Sequence, residues 1–159
     1  MSISSELLDL SIKKEAMIAC AESCTGGMVA ASLTNLPGSS AMFDRGFVTY
    51  TNQAKMDLLG VPKQVLTEFG AVSEPVAAAM AKGALDGSEA ALAVSITGIA
   101  GPGGSDHKPE GRVCFGLATN AGTITQTVEF GAQGRDIVRG AARDHALALL
   151  LQELQKLPD

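Results

Sequence analysis

The chain contains no tryptophan, one tyrosine and five phenylalanines in 159 residues, so it offers few aromatic platforms. Positive charge is also scarce. Twelve Lys and Arg face seventeen Asp and Glu, a formal net charge of −5, whereas binding a phosphate backbone requires a basic surface. No nucleic-acid partner is expected. Only Arg135, Arg139 and Arg143, with Lys108 in a separate loop, leave room for a local anion site. No apolar run approaches the roughly 18 residues of a membrane span, and the N-terminal MSISSELLDLSIKKEA has no signal-peptide core. Neither a membrane association nor a secreted location is expected. Three cysteines without CxxC spacing point to a reduced, cytoplasmic chain in which Cys20 and Cys114 are small core residues. His107 and His145 are distant from each other and neither sits in a ligand-spaced cluster, so no metal site and no cofactor are expected. The P-loop, the dinucleotide fingerprint and GxSxG are all missing.

What is present is ordinary globular material: 46% hydrophobic, 18% charged, eighteen glycines. This length fits one domain over residues 1–159, burying roughly 70% of its unfolded surface. Residues 3–16 carry Ile3, Leu7, Leu8 and Ile12 at helical spacing, with Ser4 or Ser5 as cap. Residues 17–21 read as a buried strand, followed by a small-residue helix from Thr25 to Thr34. FDRGFVTYT at 43–51 predicts a strand, NQAKMDLLG a short helix ending at Gly60, and Pro62 opens another. Ser73 starts the helix SEPVAAAMAKGAL, and ALAVSITG at 91–98 is an apolar strand running into a glycine-rich loop. RVCFGLATN and TITQTVEF form a hairpin, and a long helix runs from about Arg135 to Lys156. Strands interleaved with helices early and a hairpin late predict an α/β fold, a three-layer α/β/α sandwich with a mixed, mostly parallel sheet.

Three polar segments fall at strand ends, where open α/β sheets bind ligands: ESCTGG at 22–27, TYTNQAK at 49–55 and SITGIAGPGG at 95–104. Each alone has an ordinary reading. Ser23 or Thr25 suits a helix cap, Tyr50 a half-buried strand position, Lys55 a solvated helix face, and the glycines a turn. Taken together they make a coherent hydrolytic set. A hydroxyl nucleophile needs a base, and neither histidine is near these segments. A desolvated Lys55 with its pKa brought down to about 7–8 would serve, with Tyr50 relaying the proton or donating to an oxyanion. Backbone amides after Ser23 or after Thr97 would add donors.

ESCTGG, PGSSAMFDRGFVTYTNQAK, GAVSEP and SITGIAGPGG followed by KPEGRV resemble the C-terminal domain family of CinA, the competence/damage-inducible proteins, over roughly residues 5–155. The resemblance implies the three-layer fold and the activity of the family's stand-alone members, which are nicotinamide-nucleotide amidohydrolases. These convert nicotinamide mononucleotide to nicotinate mononucleotide and ammonia, without a metal, in pyridine-nucleotide salvage. Longer members carry an extra N-terminal domain with pyrophosphatase activity. This chain starts just before the amidase-like domain, so that second activity is expected to be missing. Carried over by motif, the resemblance assigns Ser23 as nucleophile and Tyr50 and Lys55 as its activating partners. It also gives Asn52 as a carboxamide contact, and Thr97, Gly98 and Gly101 as cavity lining. Arg135 and Arg139 become phosphate or ribose contacts. Glu22, Thr25 and Gly26 join the substrate-binding set. Gly134 departs from the family pattern, which has an acidic or polar residue before that first arginine.

Cys24 is the rival nucleophile, although adjacent residues at a strand end point in different directions and no histidine is near to make a thiolate. Glu22 is either a general acid or a carboxylate balancing Lys55 or an arginine. Glu22 or Asp44 would offset the pyridinium charge, unless Asp44 and Arg45 form a surface pair. Arg112 suits a hairpin edge. The rival function is a non-catalytic nucleotide-binding module, with ESCTGG as cap and the glycine loop cradling phosphate; a competence-associated role follows only from the family's name. The partner is a small molecule, and a homodimer stays open.

Overall fold

The computed structural model describes residues 1–159. Its elements, in chain order, are α1 (Ile3–Lys14), β1 (Ile18–Glu22), α2 (Met28–Leu33), β2 (Phe43–Val48), α3 (Asn52–Leu59), α4 (Lys63–Phe69), α5 (Glu74–Asp86), β3 (Leu92–Gly98), β4 (Arg112–Thr119), β5 (Gly122–Glu129) and α6 (Arg135–Lys156). The strands form one sheet in the order β2-β1-β3-β4-β5. β1 pairs in parallel with both β2 and β3. β3–β4 and β4–β5 are antiparallel.

The sheet is mixed, as expected, and its parallel part is the β2-β1-β3 half: two of the four ladders are parallel and two antiparallel. The cause is the late hairpin, which adds to the β3 edge instead of closing on itself. Because two reversals restore direction, β5 again runs the same way as the first three strands.

Alternation along β1 assigns the layers. Ile18 and Cys20 belong to a core of 21 buried residues shared with α1, α2 and α6, among them Leu7, Leu33, Val138 and Leu150. Ala19 and Ala21 belong to a second core of 9 residues with Leu59, Leu66, Val76 and Met80 from α3 to α5. Helices thus cover both faces of the sheet, giving the expected α/β/α sandwich. No helix is long and apolar enough to cross a membrane.

Local chemistry sets the helix starts. Ser73 caps α5 by accepting from the Val76 N–H, as its position predicts, and Thr51 does the same for α3 through Ala54. Ser2, not Ser4 or Ser5, caps α1; Ser4 lies within the helix and donates to the Ser32 carbonyl. α2 begins at Met28 rather than Thr25, because residues 23–27 form a turn before the helix.

Candidate active site

The chain runs from β1 to β2 on one side, then to β3 on the other, so the C-terminal end of β1 is the topological switch point of the sheet. Two bonds extend the ladders past the strand ends: Ser23 N–H to the Ile96 carbonyl at 3.0 Å, and Thr49 N–H to the Glu22 carbonyl at 2.9 Å. Ser23, Thr49 and Thr97 are thereby aligned along one edge. A cavity of about 320 Å³ opens there, lined by Ser23, Cys24, Tyr50, Lys55, Ala71, Val72, the 97–106 stretch, Lys108 and Arg135.

Lys55 is the most unusual residue in it. It lies in α3 facing the sheet and is 1% exposed. Its Nζ is 3.0 Å from Ser23 Oγ and donates to the Thr49 carbonyl at 2.8 Å and the Tyr50 carbonyl at 3.2 Å. Burial lowers its pKa to about 8. Carbonyl oxygens only accept, so two N–H bonds are committed to Thr49 and Tyr50 in either protonation state. The third position faces Ser23. When Lys55 is charged it donates there; when neutral, its lone pair points at the serine hydroxyl and accepts its proton.

Cys24 also lines the cavity but belongs to the larger core, 5% exposed, on the α6 side of the sheet. Burial pushes its thiol up to about 11, with the nearby arginines acting in the other direction. A thiol so shifted supplies almost no thiolate near neutrality. The N–H of Cys24, directly after Ser23, donates to no backbone acceptor, nor do those of Ala100 and Gly101.

Glu22 corrects the expectation made for it. It is fully buried and does not line the cavity. One carboxylate oxygen accepts from Thr25 Oγ1 at 2.7 Å and Val29 N–H at 3.0 Å, the other from Ala30 N–H at 3.0 Å. It therefore caps α2 from inside, and Ser23 is not the cap. Thr25, also fully buried, is committed to Glu22 rather than to a ligand.

The glycine-rich loop forms the opposite wall. Thr97 Oγ1 donates to the Ala71 carbonyl at 2.8 Å, so this threonine ties the connection between α4 and α5, which also lines the cavity, to β3. Lys108 Nζ donates to the carbonyls of Phe69 and Val72 at 2.7 and 2.6 Å, fastening the same segment. Arg135, the first residue of α6, donates to the Gly101 carbonyl and to the Tyr50 hydroxyl, both at 2.8 Å. Tyr50 thus meets Lys55 through its backbone carbonyl while its phenol meets Arg135. Gly134 precedes Arg135 at φ +99°, a conformation that favours glycine.

Of the residues singled out from the sequence, Ser23, Tyr50, Lys55, Thr97, Gly98, Gly101 and Arg135 converge on the cavity. Gly26, Asn52 and Arg139 do not. Asn52 is an exposed first-turn residue of α3. Arg139 donates from Nε to the Cys24 carbonyl at 3.0 Å, and its guanidinium packs against Gly26, bracing the 24–26 turn from behind. Asp44 pairs with Arg45 and accepts from the Glu89 N–H, away from the cavity. Arg112 is paired with Glu129 across the hairpin. The sequence reading missed Ala71, Val72 and Asp106 as lining residues, since nothing in their spacing marks them. Asp106 is the one carboxylate in the lining. No group of three or more His, Cys, Asp or Glu side chains converges to hold a metal ion.

The family model described as the CinA C-terminal domain matches residues 1–154. The nicotinamide-nucleotide amidohydrolase PncC of Escherichia coli K12 is 48% identical over 157 residues, covering 94% of this chain and 95% of that protein. A putative competence-damage inducible protein of Symbiobacterium thermophilum is 52% identical over 147 residues, 86% of this chain, which spans about a third (34%) of that longer relative. Among solved structures, a competence/damage inducible protein from Agrobacterium tumefaciens superposes with TM-score 0.88 at 45% identity, covering 98% of both chains. The competence damage-inducible protein A of Klebsiella pneumoniae gives TM-score 0.93 at 34% identity, covering 98% of this chain and 97% of that one.

Proposed function

We propose that this chain, which belongs to the CinA C-terminal domain family, hydrolyses the carboxamide of nicotinamide mononucleotide to nicotinate mononucleotide and ammonia, with Ser23 as nucleophile and Lys55 as its base. The observation that carries this reading is the buried Lys55 Nζ at 3.0 Å from Ser23 Oγ with its other hydrogens held by two carbonyls. The full-length similarity to a relative named for the same activity supports the choice of substrate.

The steps follow from the geometry. Neutral Lys55 takes the Ser23 proton as Oγ attacks the carboxamide carbon. The oxygen that becomes negative is received by unpaired backbone N–H groups, with Cys24 as the candidate nearest in sequence. Such a donor is often worth about 3–4 kcal/mol in the transition state. The lysine ammonium then returns the proton to the leaving nitrogen, ammonia departs, and water hydrolyses the ester by the same route in reverse. Arg135 is the phosphate contact, because its guanidinium rests on two neutral acceptors and forms no ion pair within the chain. Asp106, in place of Glu22 or Asp44, is the carboxylate able to face the pyridinium. With all three cysteines free, the reading places the enzyme in a reducing compartment, the cytoplasm.

A coupled ammonia assay with the mononucleotide tests the reading. Saturable ammonia release supports it; tight binding with no ammonia release identifies a binding module instead.

A further inference from the structure

We infer that Glu110 is a positioning residue for the anion end of the cavity, acting through the glycine-rich loop on Arg135; this rests on the amidohydrolase reading above. Glu110 sits just before β4, half-buried, and does not line the cavity. Its Oε1 accepts the Gly103 N–H at 2.5 Å. That is the one backbone amide between Ala100 and Gly104 with an acceptor, so the carboxylate holds a stretch that has no ladder of its own.

The loop also packs closely against the carboxylate at Gly101. At Gly101 (φ +95°) a Cβ would come within 2.5 Å of the Glu110 carboxyl carbon, so both the close approach and the backbone conformation call for glycine. The carbonyl of the same residue, Gly101, accepts from Arg135 Nη1 at 2.8 Å. Arg135 is exposed, and its only other partner is the Tyr50 hydroxyl. One of the two acceptors that aim the guanidinium is therefore fixed by Glu110. Holding an exposed arginine in one rotamer costs side-chain entropy, so pre-setting it favours binding of the phosphate rather than the chemical step.

The experiment measures kcat and KM for the mononucleotide in Glu110→Ala, Glu110→Gln, Arg135→Ala and the Glu110→Ala/Arg135→Ala double variant. Glu110→Ala is expected to raise KM about ten-fold with kcat within about two-fold, the loss of one well-placed charge-assisted hydrogen bond. Glu110→Gln, which keeps the acceptor, restores KM to within about two-fold of wild type. The double variant is no worse than Arg135→Ala alone, because Glu110 has nothing left to aim. Three results overturn the inference: an unchanged KM in Glu110→Ala, equal losses in Gln and Ala, or losses that multiply in the double variant. If Glu110→Ala does not fold, Glu110→Asp, which withdraws the carboxylate from Gly103, takes its place with the same expectations. The same proteins titrated calorimetrically with the mononucleotide give the cycle from binding alone. A wild type that binds without releasing ammonia thus rejects the amidohydrolase reading while the binding cycle still judges Glu110.

Discussion

Glu22 and Ser23 are consecutive at the end of β1, yet their side chains leave the sheet on opposite faces: Glu22 binds the start of α2, and Ser23 meets Lys55. The capping task and the nucleophilic task, both readings open to Ser23 from the sequence, are divided between neighbours. Capping by a carboxylate frees the hydroxyl, and the N–H groups that Glu22 satisfies are those of a helix end otherwise buried without partners.

Glu22→Ala is therefore expected to unfold the turn before it damages chemistry. It removes three hydrogen bonds from Thr25, Val29 and Ala30, a loss of about 3 kcal/mol or more. Thermal melts check this. A melting temperature equal to that of wild type would contradict the capping role.

Activity should depend on pH through Lys55. Its pKa near 8 lies below the ordinary 10.5 because burial disfavours the ammonium, and only the neutral amine accepts the serine proton. The profile of kcat/KM is expected to rise with pH and level off above an apparent pKa of about 8. A profile that is flat between pH 6.5 and 9.5, or that falls through pH 8, would rule out a neutral lysine base (a range set to bracket about 8).

The same shift makes a stability prediction whose sign is opposite to that of a salt-bridged lysine. Between about 8 and 10.5 the unfolded chain binds a proton at Lys55 that the native chain does not, so native stability rises with pH across that window. The contribution is complete above 10.5 and absent below about 8. Relative to Lys55→Met, wild type should gain about 3 kcal/mol across it. Denaturant unfolding of both proteins over this range isolates the effect, since all other groups titrate alike. A difference that does not change with pH would mean that Lys55 keeps an ordinary pKa when folded.

Cys24 supplies a negative prediction. Packed in the larger core with its thiol raised to about 11, it should resist alkylation at pH 8. Cys24→Ala is expected to keep kcat/KM within about five-fold of wild type. Loss of ammonia release comparable to that of Ser23→Ala would restore the cysteine as nucleophile.

The sequence made the element order, both helix layers and the three strand-end segments legible, because hydrophobic period and turn residues are local signals. That the hairpin joins the β3 edge through β4 was not legible, since nothing in RVCFGLAT names the strand it pairs with. Within the site, Ser23, Lys55, Thr97 and Arg135 announced themselves as polar residues at strand or helix ends. Glu22, Thr25 and Arg139 looked equivalent to them and are not. Glu22 turns inward by strand alternation to the buried N–H groups that needed an acceptor and takes Thr25 with it, while Arg139 is spent as a donor on the Cys24 carbonyl. Lys108 was visible only as an isolated cation, because its acceptors are backbone carbonyls some forty residues away. Glu110 stood within KPEGRV with nothing to mark its own role, as its partner is a backbone amide of the glycine loop.

The most direct test of the account is ammonia release by Ser23→Ala, measured alongside calorimetric binding of nicotinamide mononucleotide. The account predicts a fall in kcat of about a thousand-fold or more with binding retained. Ammonia release at the wild-type rate from Ser23→Ala would contradict it.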